Sequence, residues 1–172
     1  MDHGLLFDGK CEDAKVMYGY VDIDHAPDLD KRKSTSGFVF TLAGGCICWK
    51  AVLQKCISLS STKVEYVAGA TAAEEAVWLG RLTTEMGLKQ GSLGLHCDSQ
   101  SAMALAESQK VDSRLKHTDL RYHFIRQMVE EDKIHLIDID TRDNPADVFT
   151  KVIPLELYTK HKKTLQILQM VD

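Results

Sequence analysis

Four acidic residues occupy positions where predicted strands or helices begin or end. Asp22 ends a predicted strand, Glu65 lies in the first turn of a long predicted helix, Asp98 ends a later strand, and Asp147 lies in the first turn of a further helix. An α/β sheet gathers its functional groups at such ends. If the four carboxylates converge, their repulsion raises their pKa values unless cations neutralise them. Oxygen ligands favour Mg²⁺, and two such ions about 4 Å apart can promote phosphodiester cleavage.

Each of these acids also has a purely structural interpretation. Thr62 and Glu65 match a capping box, in which the glutamate only satisfies the start of a helix. Asp98 can cap the helix that follows it, and Asp147 can complement a helix dipole. Asp22 has other acids nearby and can belong to a solvated turn. Spacing alone leaves both interpretations open.

The elements that must position these acids alternate between strands and helices. Alternating apolar residues predict strands over 16–23, 37–42, 46–50, 93–98 and 134–139. Helical spacing predicts helices over 62–86, 99–107 and 120–129, another that opens at Asn144-Pro145, and a terminal helix over 155–170. Trp49 and Trp78 fall within these patterns and are predicted to lie in the core. The order of elements predicts a mixed α/β sheet in one domain.

Composition narrows the class of protein. The chain has 172 residues, 44% of them hydrophobic and 27% charged, which is enough apolar material for one core. A net charge of −4 argues against holding nucleic acid by bulk electrostatics. Five cysteines form no even framework, so we expect free thiols in an intracellular compartment, cytoplasm or nucleus. No long apolar run and no glycine-rich phosphate loop is visible, so we expect neither a membrane partner nor a small-molecule cofactor.

Several motifs, in order along the chain, resemble the ribonuclease H domain of copia-type LTR retrotransposon Pol polyproteins (reverse transcriptase proteins). The resemblance covers roughly residues 4 to 155. It is carried by Gly19-Tyr20-Val21-Asp22-Ile23-Asp24, Arg32-Lys33-Ser34-Thr35-Ser36-Gly37, Val64-Glu65-Tyr66, Cys97-Asp98-Ser99-Gln100-Ser101-Ala102, the stretch 116–126 that opens with Lys116-His117-Thr118-Asp119, and Pro145-Ala146-Asp147.

This resemblance implies a fold and an activity. The fold would be ribonuclease H-like, an α/β fold with a five-stranded mixed sheet flanked by helices. The activity would be endonucleolytic hydrolysis of the RNA strand of RNA:DNA hybrids, leaving 5′-phosphate and 3′-hydroxyl ends. Asp22, Glu65, Asp98 and Asp147 would be both the catalytic tetrad and the ligands of two Mg²⁺ ions, for which Mn²⁺ would substitute.

The resemblance also implies a domain division and a partner. Residues 1–15 would be an N-terminal arm at the end of the polymerase connection, 16–154 the ribonuclease H-like domain, and 155–172 a C-terminal helix or tail. A reverse transcriptase domain in the parent polyprotein would be the protein partner.

Four further residues are candidates for binding substrate. Lys116 and His117 precede a predicted helix bearing Arg121, a local basic patch suited to phosphates. An ordinary helix face with paired charges explains them equally well. Gln100 follows Asp98 directly, and the resemblance implies that it reaches base edges or sugar hydroxyls in a shallow minor groove.

The sequence departs from the family pattern near the first acid. Val21 precedes Asp22 where serine is common, Ile23, Asp24 and His25 follow it, and Pro27 replaces the usual glycine. Proline stiffens this loop and removes a backbone donor, while the tetrad itself is complete. The alternative function is therefore a catalytically weak or silent domesticated ribonuclease H-like fold that acts as a nucleic-acid-binding or protein-interaction module.

Overall fold

The structure is a computed structural model that describes residues 3–10, 13–24, 34–54, 61–98 and 119–170. Its strands are β1 (His3–Leu5), β2 (Met17–Asp24), β3 (Thr35–Leu42), β4 (Gly45–Leu53), β5 (Leu93–Cys97), β6 (Ile134–Asp138) and β7 (Ile167–Gln169). Its helices are α1 (Ser61–Glu85), α2 (Asp119–Glu130), α3 (Leu155–Thr164) and two 3-10 helices, Thr141–Asp143 and Pro145–Phe149. The helix predicted over 99–107 lies outside the described residues.

Five strands form one mixed sheet in the order β4-β3-β2-β5-β6. β2, β3 and β4 are antiparallel neighbours, whereas β5 pairs in parallel with both β2 and β6. Helices flank this sheet, which confirms the predicted fold class. β2 is the central strand, so residues at its carboxyl end have β3 on one side and β5 on the other.

Helix α1 covers one face of the sheet with small side chains. Ala68, Ala72 and Ala76 are fully or almost fully buried, and they allow the helix to approach Phe40 and Leu95 closely. A helix of this kind stabilises the sheet by removing apolar area from water. Helix α1 ends at Glu85, and the chain then turns through Gly87, which has a φ of +85°. The predicted end of this helix near Met86 is therefore confirmed.

The opposite face carries a smaller core. Val39 and Cys46 of the sheet pack with Ala146 of the second 3-10 helix and with Leu165, which follows α3. The 3-10 helix Pro145–Phe149 therefore lies directly on the sheet, on the face that α1 leaves free. The opening of this helix by Asn144-Pro145 is confirmed, although it is a 3-10 helix of five residues.

The C-terminal segment differs from the predicted helix over 155–170. Helix α3 ends at Thr164, Gln166 takes a φ of +54°, and the chain continues as strand β7. β7 pairs antiparallel with β1, which joins segment 155–172 to segment 1–15 in a two-stranded ribbon. Alternating Leu165 and Ile167 fit a helix or a strand equally well over so short a run, and tertiary pairing decides.

The predicted burial of the two tryptophans is wrong. Trp49 and Trp78 are each 56% exposed. Trp49 lies in the second half of β4, an edge strand whose residues 49–53 are all exposed. Trp78 lies off the buried stripe of α1, which runs through Ala72, Ala76 and Leu79.

Among the described residues, no helix combines the length and the apolar character that crossing a membrane requires.

Candidate active site

Two of the predicted acids lie side by side at the ends of two paired parallel strands. Val21 of β2 lies opposite Cys97 of β5, so the next residues along the two strands are Asp22 and Asp98. The carboxyl ends of parallel strands lie at the same edge of a sheet, and this register brings both acids there. Asp22 is 2% exposed, while Asp98 is half-buried.

The third acid reaches the same edge on the 3-10 helix Pro145–Phe149. Asn144 caps this helix, since its side-chain oxygen accepts a hydrogen bond from the Ala146 N–H at 3.1 Å. The amide nitrogen of the same side chain donates to the backbone oxygen of Val21 at 2.8 Å. Asn144 is fully buried, so one side chain ties the helix that carries Asp147 to the strand that carries Asp22.

The structure brings three of the four predicted acids together. Ligand oxygens of Asp22, Asp98 and Asp147 all lie within 4.8 Å of one another, a grouping that could hold a metal ion. We call these three residues the acid cluster. This spacing requires carboxylates from three separate elements to converge, which is costly unless their charge is balanced.

Glu65, the fourth predicted acid, is placed only through its backbone. Helix α1 begins at Ser61, so Glu65 lies in the second turn rather than in the predicted first turn. Thr62 then lies inside the helix, whereas the capping-box interpretation required it to precede the helix. The side chain of Glu65 is outside the described part of the chain.

The four predicted substrate-binding residues are likewise not placed by their side chains. Gln100, Lys116 and His117 lie outside the described residues. Arg121 belongs to α2, and its side chain is not among those that the structure describes. Their roles therefore stay predictions.

Two threonines orient the carboxylates of the acid cluster. The Thr150 hydroxyl donates a hydrogen bond to Asp22 Oδ2 and lies 3.2 Å from the backbone oxygen of Asp147. The Thr141 hydroxyl donates to Asp98 Oδ2 at 2.9 Å. Hydrogen bonds to the charged form of a carboxylate favour that form. Both threonines come from the segment around the 3-10 helices, so this segment holds the acids as well as supplying one.

Burial and the nearby charge of Asp22 raise the pKa values of Asp98 and Asp147. Burial, together with the charge of Asp22, raises the pKa of Asp147 to about 7, against the opposing effect of Lys151. Burial also raises the pKa of Asp98, and the Thr141 hydrogen bond partly opposes the shift. Perturbed carboxyl groups that share one site are typical of functional centres.

Lys151 is the cation of this site. Its ammonium lies 3.0 Å from Asp147 Oδ1 and 3.6 Å from Asp22 Oδ1. Burial alone would lower the pKa of Lys151, but its hydrogen bond to Asp147 and the charges of Asp22, Asp147 and Asp98 raise it overall. In the described part of the chain, buried Asp147 Oδ1 accepts no other hydrogen bond, so Lys151 is its charged partner.

A glycine in β3 makes room for this arrangement. Gly37 lies opposite Asp22 in the antiparallel register. A Cβ at position 37 would come within 2.8 Å of Thr150 Cγ2 and 2.9 Å of Phe149 Cβ. The 3-10 helix and the threonine that follows it can therefore approach the sheet only because residue 37 has no side chain.

Sequence reasoning missed Thr141, Thr150 and Lys151. Lys151 follows Asp147 by four residues, a spacing at which opposite charges meet on a helical turn, so this signal was available. Thr141 offers no comparable signal, because its partner Asp98 is brought near only by the fold.

Comparison with known proteins agrees with this geometry. The chain is 45% identical over 139 residues to the retrovirus-related Pol polyprotein from transposon TNT 1-94 of Nicotiana tabacum, covering 81% of this chain and 10% of that protein. It is 30% identical over 170 residues to the corresponding polyprotein from transposon RE2 of Arabidopsis thaliana, covering 98% and 12%. No family model matches the chain.

Among solved structures, the fold matches LC11-RNase H1 in complex with an RNA/DNA hybrid. The TM-score is 0.57 at 16% identity, and the match covers 78% of this chain and 93% of that one. The fold is thus that of ribonuclease H. Taken with the sequence relatives, this shows that the chain belongs to the ribonuclease H domains of copia-type retrotransposon Pol polyproteins. The chain spans about a tenth of the length of the polyproteins that it matches.

Proposed function

We propose that the protein is a Mg²⁺-dependent endonuclease that hydrolyses the RNA strand of RNA:DNA hybrids. The observation that carries this proposal is the acid cluster, whose ligand oxygens lie within 4.8 Å of one another at the carboxyl ends of β2 and β5. The ribonuclease H fold and the Pol polyprotein relatives support a nuclease of this type.

The donor set of the acid cluster fits a hard divalent cation. Asp22, Asp98 and Asp147 offer only oxygen ligands, and the family resemblance adds Glu65 as a fourth. Burial and the charge of Asp22 raise the pKa of Asp147 to about 7 even though Lys151 lies 3.0 Å from Asp147 Oδ1, so a bound cation would further stabilise the ionised form of this carboxylate. When bound, two Mg²⁺ ions, or Mn²⁺ in their place, would supply the Lewis acidity that activates water and stabilises the leaving oxygen.

The chain's own residues prepare this site before substrate arrives. Asn144 fixes the distance between the strand of Asp22 and the helix of Asp147, while Thr141 and Thr150 hold the carboxylates in one orientation. Donors that are already placed need no reorganisation during the reaction. Asp147 must be ionised to bind a cation, and its raised pKa makes protons competitors for the site near neutral pH.

We assign the hybrid as substrate because the structural neighbour LC11-RNase H1 was solved with an RNA/DNA hybrid. Gln100, Lys116, His117 and Arg121 are the proposed contacts to its minor groove and phosphates. A reverse transcriptase domain of a parent polyprotein would add affinity that an isolated domain of net charge −4 lacks. We place this activity inside the cell, in cytoplasm or nucleus.

Cleavage of a labelled hybrid, followed on a gel, tests the proposal. We expect cutting of the RNA strand with Mg²⁺ and none with EDTA. Asp98→Asn should abolish cutting, and it should slightly stabilise the metal-free protein because one repelling charge is lost. Asp138→Asn is the matched control, since Asp138 is an exposed acid at the end of β6, the strand next to β5, and does not belong to the acid cluster. Unchanged cutting by Asp98→Asn would refute the role of the cluster.

One observation favours the alternative of a silent binding module. Lys151 already pairs with two members of the acid cluster, so the fold can balance part of their charge without any metal. Titration of a fluorescent hybrid in Ca²⁺ distinguishes the two functions. A nuclease should bind weakly and with strong salt dependence, and it should cut when Mg²⁺ replaces Ca²⁺. Tight binding that survives both EDTA and Asp22→Asn would instead establish the module.

A further inference from the structure

The ammonium of Lys151 lies against two carboxylates of the acid cluster. Its ammonium contacts one carboxylate oxygen of Asp147 at 3.0 Å and one of Asp22 at 3.6 Å. The Asp22 and Asp147 side chains are 2% and 3% exposed, whereas that of Lys151 is 28% exposed. The ammonium of a partly exposed lysine therefore reaches two buried carboxylates.

The acids depend on this ammonium for charge balance. Asp22 and Asp147 are buried carboxylates, and a buried charge without a partner strongly destabilises a fold. Lys160, the lysine nine residues further along, pairs with exposed Asp143 instead. Lys151 is thus the lysine that forms ion pairs with two members of the acid cluster.

We propose that Lys151 is a tethered cation that occupies the acid cluster when no divalent ion is bound and competes with such an ion for the same oxygens. This inference rests on the proposed function. Mg²⁺ binds carboxylate oxygens at about 2.0–2.1 Å, so the ion and the ammonium cannot both sit against Asp147 Oδ1 and Asp22 Oδ1 without strong repulsion. The flexible stem and the partial exposure of Lys151 give its ammonium a route into solvent.

Lys151 is accordingly a positioning residue. In the metal-free protein it holds Asp22 and Asp147 close together, which keeps the ligand geometry formed. On metal binding it must leave, and the lost ion pairs lower the apparent affinity. The lysine would thus prevent weakly binding cations from occupying the acid cluster. Only an ion that binds the carboxylates more strongly than the Lys151 ammonium does would displace it.

Calorimetric titration of the metal-free protein with Mg²⁺ tests the inference without measuring activity. Lys151→Met should bind Mg²⁺ about tenfold more tightly than the parent, which corresponds to 1.4 kcal/mol. Lys151→Arg keeps the charge and should stay near the parent affinity. Lys160→Met is the matched control, because it removes the same charge from an exposed ion pair nearby, and its affinity should change little.

The outcomes separate this inference from the proposed function. If the parent binds Mg²⁺ and Lys151→Met binds it no better than Lys160→Met does, the tethered-cation role is overturned and the metal site stands. If the parent binds no Mg²⁺, the proposed function falls, and the inference falls with it.

A second measurement uses the parent chain and does not depend on how the variants fold. Acetylation of lysines with excess reagent at fixed pH, read by mass spectrometry, reports the access to each amine. Mg²⁺ should speed acetylation at Lys151, since the side chain is released into solvent, and should leave Lys160 unchanged. Equal or slower acetylation of Lys151 in Mg²⁺ would contradict displacement.

Discussion

Asn144→Ala probes how the acid cluster is held together. The side chain of Asn144 is fully buried. It donates to the Val21 carbonyl at 2.8 Å and accepts from the Ala146 N–H at 3.1 Å. Val21 and Ala146 directly precede Asp22 and Asp147 in the sequence. Truncation to alanine therefore removes a fully buried side chain that joins the two acid-bearing segments.

The expected loss in the free energy of unfolding follows from the two buried backbone groups that lose their hydrogen-bond partner. A buried donor or acceptor that loses its partner costs about 1–3 kcal/mol. Two such groups, the Val21 carbonyl and the Ala146 N–H, give an expected loss of about 3 kcal/mol in the free energy of unfolding. For a chain of this size each kcal/mol lowers Tm by roughly 2–4 °C, so Tm should fall by about 6–12 °C.

Urea unfolding and thermal melts measure this loss against a matched control. Asp140 caps the preceding 3-10 helix by accepting from the Arg142 N–H at 2.8 Å, but it is exposed. Asp140→Ala should cost less than about 1 kcal/mol, because water replaces the lost partner. Equal losses for Asn144→Ala and Asp140→Ala would refute the reasoning that burial of both hydrogen bonds makes Asn144 essential.

Three further predictions concern packing and pH. Gly37→Ala should lower the free energy of unfolding by about 1–3 kcal/mol in urea, since its Cβ would meet Thr150, whereas Gly91→Ala meets nothing within 4 Å and should be neutral. Because the pKa of Asp147 is raised from 3.8 to about 7, the folded metal-free protein holds a proton that the unfolded chain releases. The contribution of Asp147 to stability should therefore fall as pH rises from about 4 to about 7, and Asp147→Asn should remove this contribution in thermal melts. Burial lowers the pKa of His161, and both of its ring nitrogens are buried without a hydrogen bond in the described chain. His161 therefore makes the opposite contribution, which is lost as pH falls below 6.5, and melts of His161→Leu should lack that acid-side loss.

The sequence predicts the sheet well because its strands carry their own pattern. Alternation over β2, β3 and β6 and the turn between β3 and β4 are local signals, and the observed ends lie within a few residues of the predicted ones. The approach of Asp22 to Asp98 follows from a parallel pairing of strand ends, which the order of elements already favours. The prediction that Asp147 joins these two acids depended more on the family resemblance than on the spacing of residues in the sequence.

What the sequence could not supply is set by tertiary packing. The bond from Asn144 to the Val21 carbonyl joins residues far apart in the chain, and no periodicity encodes it. Trp49 fits an apolar strand pattern, yet its strand is an edge strand that no described residue covers at that point. The break of the terminal helix at Gln166 likewise follows from the pairing of β7 with β1 rather than from local propensity.

The pairing of β1 with β7 has a consequence for the order in which the molecule folds. The partners Leu5 and Ile167 are separated by nearly the whole chain, so closing this contact first would carry the largest loop entropy available. Once the five-stranded sheet has formed, the same two segments are already neighbours and the remaining loop cost is small. The ribbon should thus be the last element to form and the first to open. Its backbone amides should exchange with solvent faster than those of β2 and β5, while the acid cluster stays intact.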